Sequence, residues 1–297
     1  MKTHTKYYRI AGITLQVHCE LPITDNTFAP KFKIFEIDRP SGELFTITHH
    51  FDWDEDSEPE KYDKQIYFRP PWAIYQEKNN IIYHWIEPHE PFKHCNRKGI
   101  ADFSHSKIDI FSHPRLIENF NKGSLTSLTF FPTDQILLGR LLGYRDGCII
   151  HSLGIILQGN GYLFVGHSDA GKSTLATILK KEAEILCDDR NIIRKINDYF
   201  NVFGTWSHGD VSDVSANGAL LKGIFFLEQS EITKIEKIND QKQIFKTLLA
   251  CLIRPVGTVD WWDHSLDLIS MVSSQIPCWN LKFDKSDTVI NLIKDFN

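Results

Sequence analysis

Hydrophobic and polar positions change rhythm once along this chain, near residue 125. Before that point, short aromatic and β-branched runs at residues 8–17, 45–51, 65–69, 73–76, 81–86 and 108–111 alternate with clusters of turn residues. Such runs read as strands. Asn79-Asn80 falls between two of them and reads as a hairpin turn, and Pro70-Pro71 ends the strand before it. There is no internal repeat. No group of residues in this part has the spacing of a catalytic site.

After residue 125 the periods are longer and mixed. Pro132-Thr133-Asp134 is a helix start, followed by Leu137, Leu138, Leu141 and Leu142 at helical spacing. Residues 148–157 and 162–165 are apolar strands joined by Gly159-Asn160-Gly161. The second strand runs into a glycine-bounded loop and a helix over 172–181. A short strand over 183–187 ends in Asp188-Asp189. Residues 192–195 and 199–203 pair across Asn197-Asp198, a polar loop covers 204–218, and a buried strand covers 220–227. Ile244, Phe245, Leu248, Leu249, Leu252 and Ile253 form one helical stripe, residues 262–269 another, and 289–296 a last helix. The pattern predicts a β-rich module over 1–125 and, over 126–297, an α/β domain built on a mixed sheet.

Composition narrows the class. With 297 residues, 42% hydrophobic and 24% charged, the chain has the make-up of an ordinary soluble protein, which excludes long disorder and fibrous structure. A formal charge of −5 argues against a dedicated nucleic-acid binder. The acidic stretch 52–63 holds seven carboxylates and reads as a solvated loop. The six cysteines include no C-x-x-C pair, so neither a zinc site nor a disulfide framework is expected. The N-terminus has no apolar stretch of signal-peptide length, and the longest apolar runs, such as 224–227, fall far short of the roughly 20 residues a membrane helix needs. A cytoplasmic protein without a membrane partner is the expectation.

The chemistry concentrates after residue 147. Gly166-His167-Ser168-Asp169-Ala170-Gly171-Lys172-Ser173 fits G-x-x-x-x-G-K-[ST], between a predicted strand and a predicted helix. Glycines let the backbone curl so that successive amides face an anion, and the helix that follows adds the positive end of its dipole. Lys172 supplies a point charge for phosphates, the Ser173 hydroxyl reaches Mg²⁺, and Thr174 continues the helix start. ATP or GTP with Mg²⁺ is the expected ligand. Asp188 and Asp189 end the next strand, where two carboxylates can divide metal coordination and acceptance of a hydroxyl proton. The plainer alternative is a turn opener followed by a salt bridge to Arg190. His151, alone in a strand, reads as structural on its own.

Taken together, His151, the glycine-rich loop after a hairpin, and Leu186-Cys187-Asp188-Asp189-Arg190 resemble the HPr kinase/phosphorylase catalytic domain, and more distantly the ATP-dependent phosphoenolpyruvate carboxykinases. The resemblance covers about residues 126–230, extends weakly to the C-terminus, and leaves 1–125 uncovered. It implies a P-loop kinase fold of that type, a serine-hydroxyl phosphotransferase and a homo-oligomer. Lys172 would serve the phosphates and Ser173 the Mg²⁺. Asp188 and Asp189 would hold base and metal ligand in either order, with Asp189 expected beside Ser173 at the metal, and His151 would orient or polarise the pair. Two departures matter. Asp169 stands where the family usually has glycine, and the family's Glu-x-Arg-Gly-x-Gly segment is replaced by Gly204-Thr205-Trp206-Ser207-His208-Gly209-Asp210. HPr as the acceptor is therefore in doubt. His208 and Asp210 read as metal or substrate contacts or as a satisfied polar loop, and Arg254-Pro255 as a phosphate-facing cation or a plain helix end. The leading function is transfer of a γ-phosphate from MgATP to a serine-type hydroxyl of a protein, peptide or small molecule. The alternative is a non-catalytic nucleotide-binding regulator or assembly protein. A carboxykinase is disfavoured, since no arginine-rich segment precedes the loop to hold a dicarboxylate. Residues 1–125 are expected to present the acceptor or to cover a sheet edge.

Overall fold

Ala11 and Gly12, both at positive φ, fold the apolar run 8–17 back on itself. What reads as one strand is therefore a hairpin of β1 (His4–Ile10) and β2 (Ile13–Cys19). The computed structural model describes residues 4–53, 62–86, 95–167, 170–255 and 259–294, without the side chains of Cys95 and Asn96; the core of the acidic stretch, 54–61, lies outside them. Contacts divide the chain into two units, Met1–Leu141 and Leu142–Asn297.

The first unit is one nine-stranded sheet. Its further strands are β3 (Glu36–Ile37), β4 (Glu43–His50), β5 (Lys64–Arg69), β6 (Trp72–Glu77), β7 (Asn80–Ile86), β8 (Cys95–Asp102) and β9 (Lys107–Ser112). They lie in the order β3-β1-β2-β4-β9-β8-β7-β6-β5. Only β2–β4 and β4–β9 are parallel. Pro70-Pro71 forms the turn between β5 and β6, and the β6–β7 turn is Lys78-Asn79, with Lys78 at φ 51°, one residue earlier than expected. Two helices follow, α1 (Ile117–Lys122) and α2 (Gln135–Gly143). The division between units falls within α2, past the change of pattern at residue 125. Leu125 is bridged to Phe28, and the buried Asp134 carboxylate accepts the amides of Leu128 and Thr129 and the Thr129 hydroxyl, which ties this stretch to the first unit.

His49 is fully buried in this unit, with Nε2 bonded to the Leu128 carbonyl at 2.9 Å and Nδ1 enclosed without a partner. Burial lowers its pKa to about 4, with His50 adding to the shift and the Leu128 bond opposing it. The neutral ring is thus the folded form. Between pH 6.5 and 4 the unfolded chain binds the extra proton, so stability rises with pH across that window and is lost as pH falls through it. We expect this residue to account for a loss of order 3 kcal/mol, at about 1.4 kcal/mol per pH unit. His49→Gln, which keeps the donor to Leu128, should flatten the dependence of the urea midpoint on pH.

The second unit carries β10 (Gly147–Leu157), β11 (Asn160–Val165), α3 (Lys172–Leu179), β12 (Glu184–Cys187), β13 (Arg190–Ile196), β14 (Tyr199–Phe203) and β15 (Gly218–Gln229). It ends with β16 (Lys234–Ile238), α4 (Gln241–Ala250), α5 (Val259–Gln275), β17 (Cys278–Phe283) and α6 (Thr288–Lys294). The sheet order is β11-β10-β13-β14-β15-β17-β16, with β12 on β10 and β11 also parallel to β15. The expected hairpins are present, with positive φ at Gln158-Gly159 and at Asn197-Asp198, the turns that match strand twist.

Alternation in the central strands serves two cores. Ile150, Leu163, Val165 and Ile224 face one side, where α4 and α5 contribute Leu248, Leu268 and Ile269. Leu153, Ile155, Phe164 and Phe225 face the other, where α3 and α6 contribute Leu175, Leu179, Val289 and Ile293. Strands covered on both faces read as continuous apolar runs, as 220–227 does. Asp240 caps α4 by accepting the amides of Lys242 and Gln243. The helix stops at Ala250, so Leu252 and Ile253 of the predicted stripe leave it. They run along β10 instead, with the His151 amide donating to Cys251 and the Ile253 amide to Ile149. No helix among the described residues is long and apolar enough to cross a membrane. Cys19, Cys148, Cys187, Cys251 and Cys278 are buried free thiols.

Candidate functional site

Strand β11 ends at Val165 and hands the chain to the glycine-rich loop. Gly166 has no room for a side chain, since a Cβ there would sit 2.7 Å from that of Ala170. Gly171 takes φ 96° as the N-cap of α3. Ser168 and Asp169, both expected at the phosphates, lie outside the described residues. Lys172 is buried, and its ammonium donates to the carbonyls of Gly166 and His167, 2.9 Å each, so the loop curls around the charge. Gly171→Ala would place a methyl 2.7 Å from Phe283 Cζ at a left-handed φ. We expect it to cost on the order of 1–3 kcal/mol, read as a lower urea midpoint.

The paired acids are held differently. Asp188 is 1% exposed, and its carboxylate accepts the Gly209 amide (2.7 Å), the Val211 amide (2.9 Å) and the Ser173 hydroxyl (3.1 Å). Asp189 turns the other way, with Oδ1 2.8 Å from His151 Nε2 and Oδ2 3.3 Å from Arg190 Nε. Burial alone would raise its pKa. The His151 bond and the charges of Arg190, His151 and Lys172 outweigh that and hold it below the ordinary carboxylate range. Neighbouring strand residues point to opposite faces, yet both acids line one pocket, because they lie beyond the end of β12 where the chain turns into β13.

A polar loop completes the arrangement. Thr205 donates its hydroxyl to the Arg190 carbonyl at 2.7 Å and Trp206 is buried, which anchors the segment 204–211 across the acids. Gly209 can approach so closely because it lacks a Cβ, which would lie 3.1 Å from Asp188 Oδ2. Asp210 Oδ2 then comes within 3.4 Å of Ser173 Oγ.

The resulting pocket, about 440 Å³, is lined by His151, Gly171, Lys172, Ser173, Thr174, Asp188, Asp189, Gly209, Asp210 and Gln229. The structure thus brings together His151, the acid pair and the C-terminal half of the loop. Gly166, His167 and Ala170 form the loop without lining the pocket. His208 is exposed and turned to the Gly209 carbonyl, and Arg254 is exposed away from the lining. Gly209 and Gln229 were not anticipated. For Gln229 the available signal was its place at the C-terminal end of a strand parallel to β11.

The donor set suits magnesium. Ser173 Oγ and Asp188 are hard oxygen donors 3.1 Å apart, and Mg²⁺ is commonly held by one or two carboxylates with phosphate oxygens and waters completing the octahedron. No group of three or more His, Cys, Asp or Glu among the described residues forms an all-protein metal cage.

No family model and no curated protein sequence matches the chain. Among solved structures, the HPr(Ser) kinase/phosphatase from Coxiella burnetii is similar over 50% of this chain and 87% of that one, at 11% identity and a TM-score of 0.28. That is a distant likeness between a mixed α/β chain and a kinase/phosphatase.

Proposed function

We propose that this protein is an ATP-dependent phosphotransferase that moves the γ-phosphoryl group to a serine-type hydroxyl. The observation carrying this reading is the division of the acid pair, one carboxylate on the Ser173 hydroxyl and the other on His151, in the lining of a pocket that Lys172 also lines. A nucleotide sensor needs an acid to order a metal, whereas transfer to a hydroxyl also needs a proton acceptor.

In this reading Ser173 and Asp188 would hold magnesium, which would supply charge beside the phosphate oxygens. That order differs from the expectation that put Asp189 at the metal, and the motive for the change is the contact of Ser173 with Asp188. Asp189 accepts the proton of the acceptor hydroxyl as its oxygen bonds to phosphorus and the bond to the β-phosphate oxygen breaks. His151 fixes the carboxylate's direction. Lys172 exchanges the Gly166 and His167 carbonyls for phosphate oxygens. The incoming hydroxyl belongs to a protein, peptide or small molecule.

The decisive experiment incubates the full-length protein with γ-labelled ATP, Mg²⁺ and serine, serine peptides or protein extracts, and identifies the labelled species. A Mg²⁺-dependent phosphomonoester supports the proposal. Nucleotide binding with no labelled acceptor favours a second reading, a nucleotide-binding regulator.

A further inference from the structure

Asn191, the second residue of β13, has no exposure and lies behind the acid pair. Its side-chain nitrogen donates to the Ser152 carbonyl at 2.6 Å and to the Cys187 carbonyl at 3.0 Å, with Ser152 Oγ at 3.3 Å. Ser152 directly follows His151, and Cys187 directly precedes Asp188. The Ser152 amide in turn donates to the Asp189 carbonyl at 3.0 Å. One amide group therefore joins the strand that carries the histidine to the strand that carries the acids.

The ladder does not do this on its own. Pairing of β10 with β12 has its last partners at Gly154 and Cys187, and pairing of β10 with β13 ends at His151 and Arg190, so Asp188 and Asp189 lie in the gap between the two ladders, where the Ser152 amide and Asn191 are the bonds that bridge it. The orientation of the Asn191 amide follows from chemistry, since a flipped group would set its oxygen against two carbonyl oxygens. As placed, Oδ1 is buried with no donor and lies against Gly154, where any Cβ would collide with it. A buried carbonyl without a partner costs stability, and an apolar side chain would avoid that cost. The use of asparagine is explained by its two donors.

We infer that Asn191 is a positioning residue, clamping β10 to β12 so that His151 Nε2 meets Asp189. The inference rests on the proposed function only for the use made of that pair. Its test uses the full-length protein without nucleotide, labelled with ¹⁵N-histidine. The His151 ring N–H bonded to a carboxylate should give a protected, downfield proton signal, assigned by its absence in His151→Gln. Asn191→Ala, and Asn191→Leu, which keeps volume without donors, should remove or broaden that signal while the other histidine signals stay. Val202→Ala, a core change in the neighbouring strand β14, should lower the melting temperature and keep the signal. With an acceptor in hand, Asn191→Leu should lower kcat at least tenfold and leave KM for ATP within about twofold. Folded Asn191 variants that keep the His151 signal would overturn the inference, as would variants that fail to fold at all, since these show a scaffold role. If the wild type itself lacks the signal, the His151–Asp189 pair is absent and the proposed function fails with it; lack of transfer with the signal intact affects the proposed function alone.

Discussion

Asp189→Asn should leave MgATP affinity within a few-fold of wild type and cut phosphoryl transfer by about 10²–10⁴. The amide keeps the size of the carboxylate and stays beside His151 and Arg190, so the pocket changes little. What it cannot do is take a proton. Because phosphoryl transfer passes through a loose transition state, a well-placed weak base suffices, which agrees with a carboxylate held below its ordinary pKa by His151, Arg190 and Lys172 after burial is overcome. The sign for pH follows. Asp189 stays ionised through the neutral range, so any loss of turnover from its protonation is confined to pH below the usual carboxylate range. Asp188→Asn should behave differently, weakening Mg²⁺-dependent binding as well as transfer. Calorimetric binding and turnover measured on each single mutant separate the two roles. Near-normal turnover in both would refute the mechanism.

The largest effect on binding is expected from Lys172→Ala. At about 100 times Kd, nucleotide should stabilise the wild type by roughly 2.7 kcal/mol, and the variant should lose most of that shift. The buried ammonium already collects the carbonyls of Gly166 and His167, so it is the positive centre around which the loop is wound. Without it the proposed phosphate site would lose the one lysine or arginine that lines it among the described residues. Thermal melts with and without MgATP check this, and an unchanged shift in the variant would remove the nucleotide-binding reading.

Much of the candidate pocket was legible because the loop and the acids each carry their own pattern, whereas His151 stood out only through the resemblance. Lys172 and Ser173 sit where a strand-to-helix turn with glycines had to put them, and Asp188-Asp189 ends an apolar strand. What could not be read was which acid faces which partner. That depends on Gly209 and Val211, more than 20 residues downstream, whose amides capture Asp188. The fold shows the same limit. Turns with positive φ at Asn197-Asp198 announce themselves, whereas Ala11-Gly12 hides inside an apolar run. Leu252 and Ile253 continue a helical stripe but bond to β10, where tertiary pairing overrides local period. β16 and β17 were missed because Lys234, Glu236 and Lys237 leave β16 little apolar alternation and Asn280 and Lys282 interrupt the apolar run of β17.

Strand β10 exchanges its neighbours around His151: β13 and the 251–253 segment pair with it before this level, β11 and β12 after it. Connections that part company at one level leave a crevice there, much as open α/β sheets do at a topological switch point. The site's position is thus a property of pairing, prior to any side chain that lines it. Side chains alternate across a strand, so inserting or deleting one residue between Gly147 and Ile150 that is absorbed as a register slip would turn position 151 into the core beneath α4 and α5 and leave Asp189 facing an aliphatic side chain. A related chain carrying every residue named here, but with β10 one residue out of step, would have the letters of this site without its chemistry.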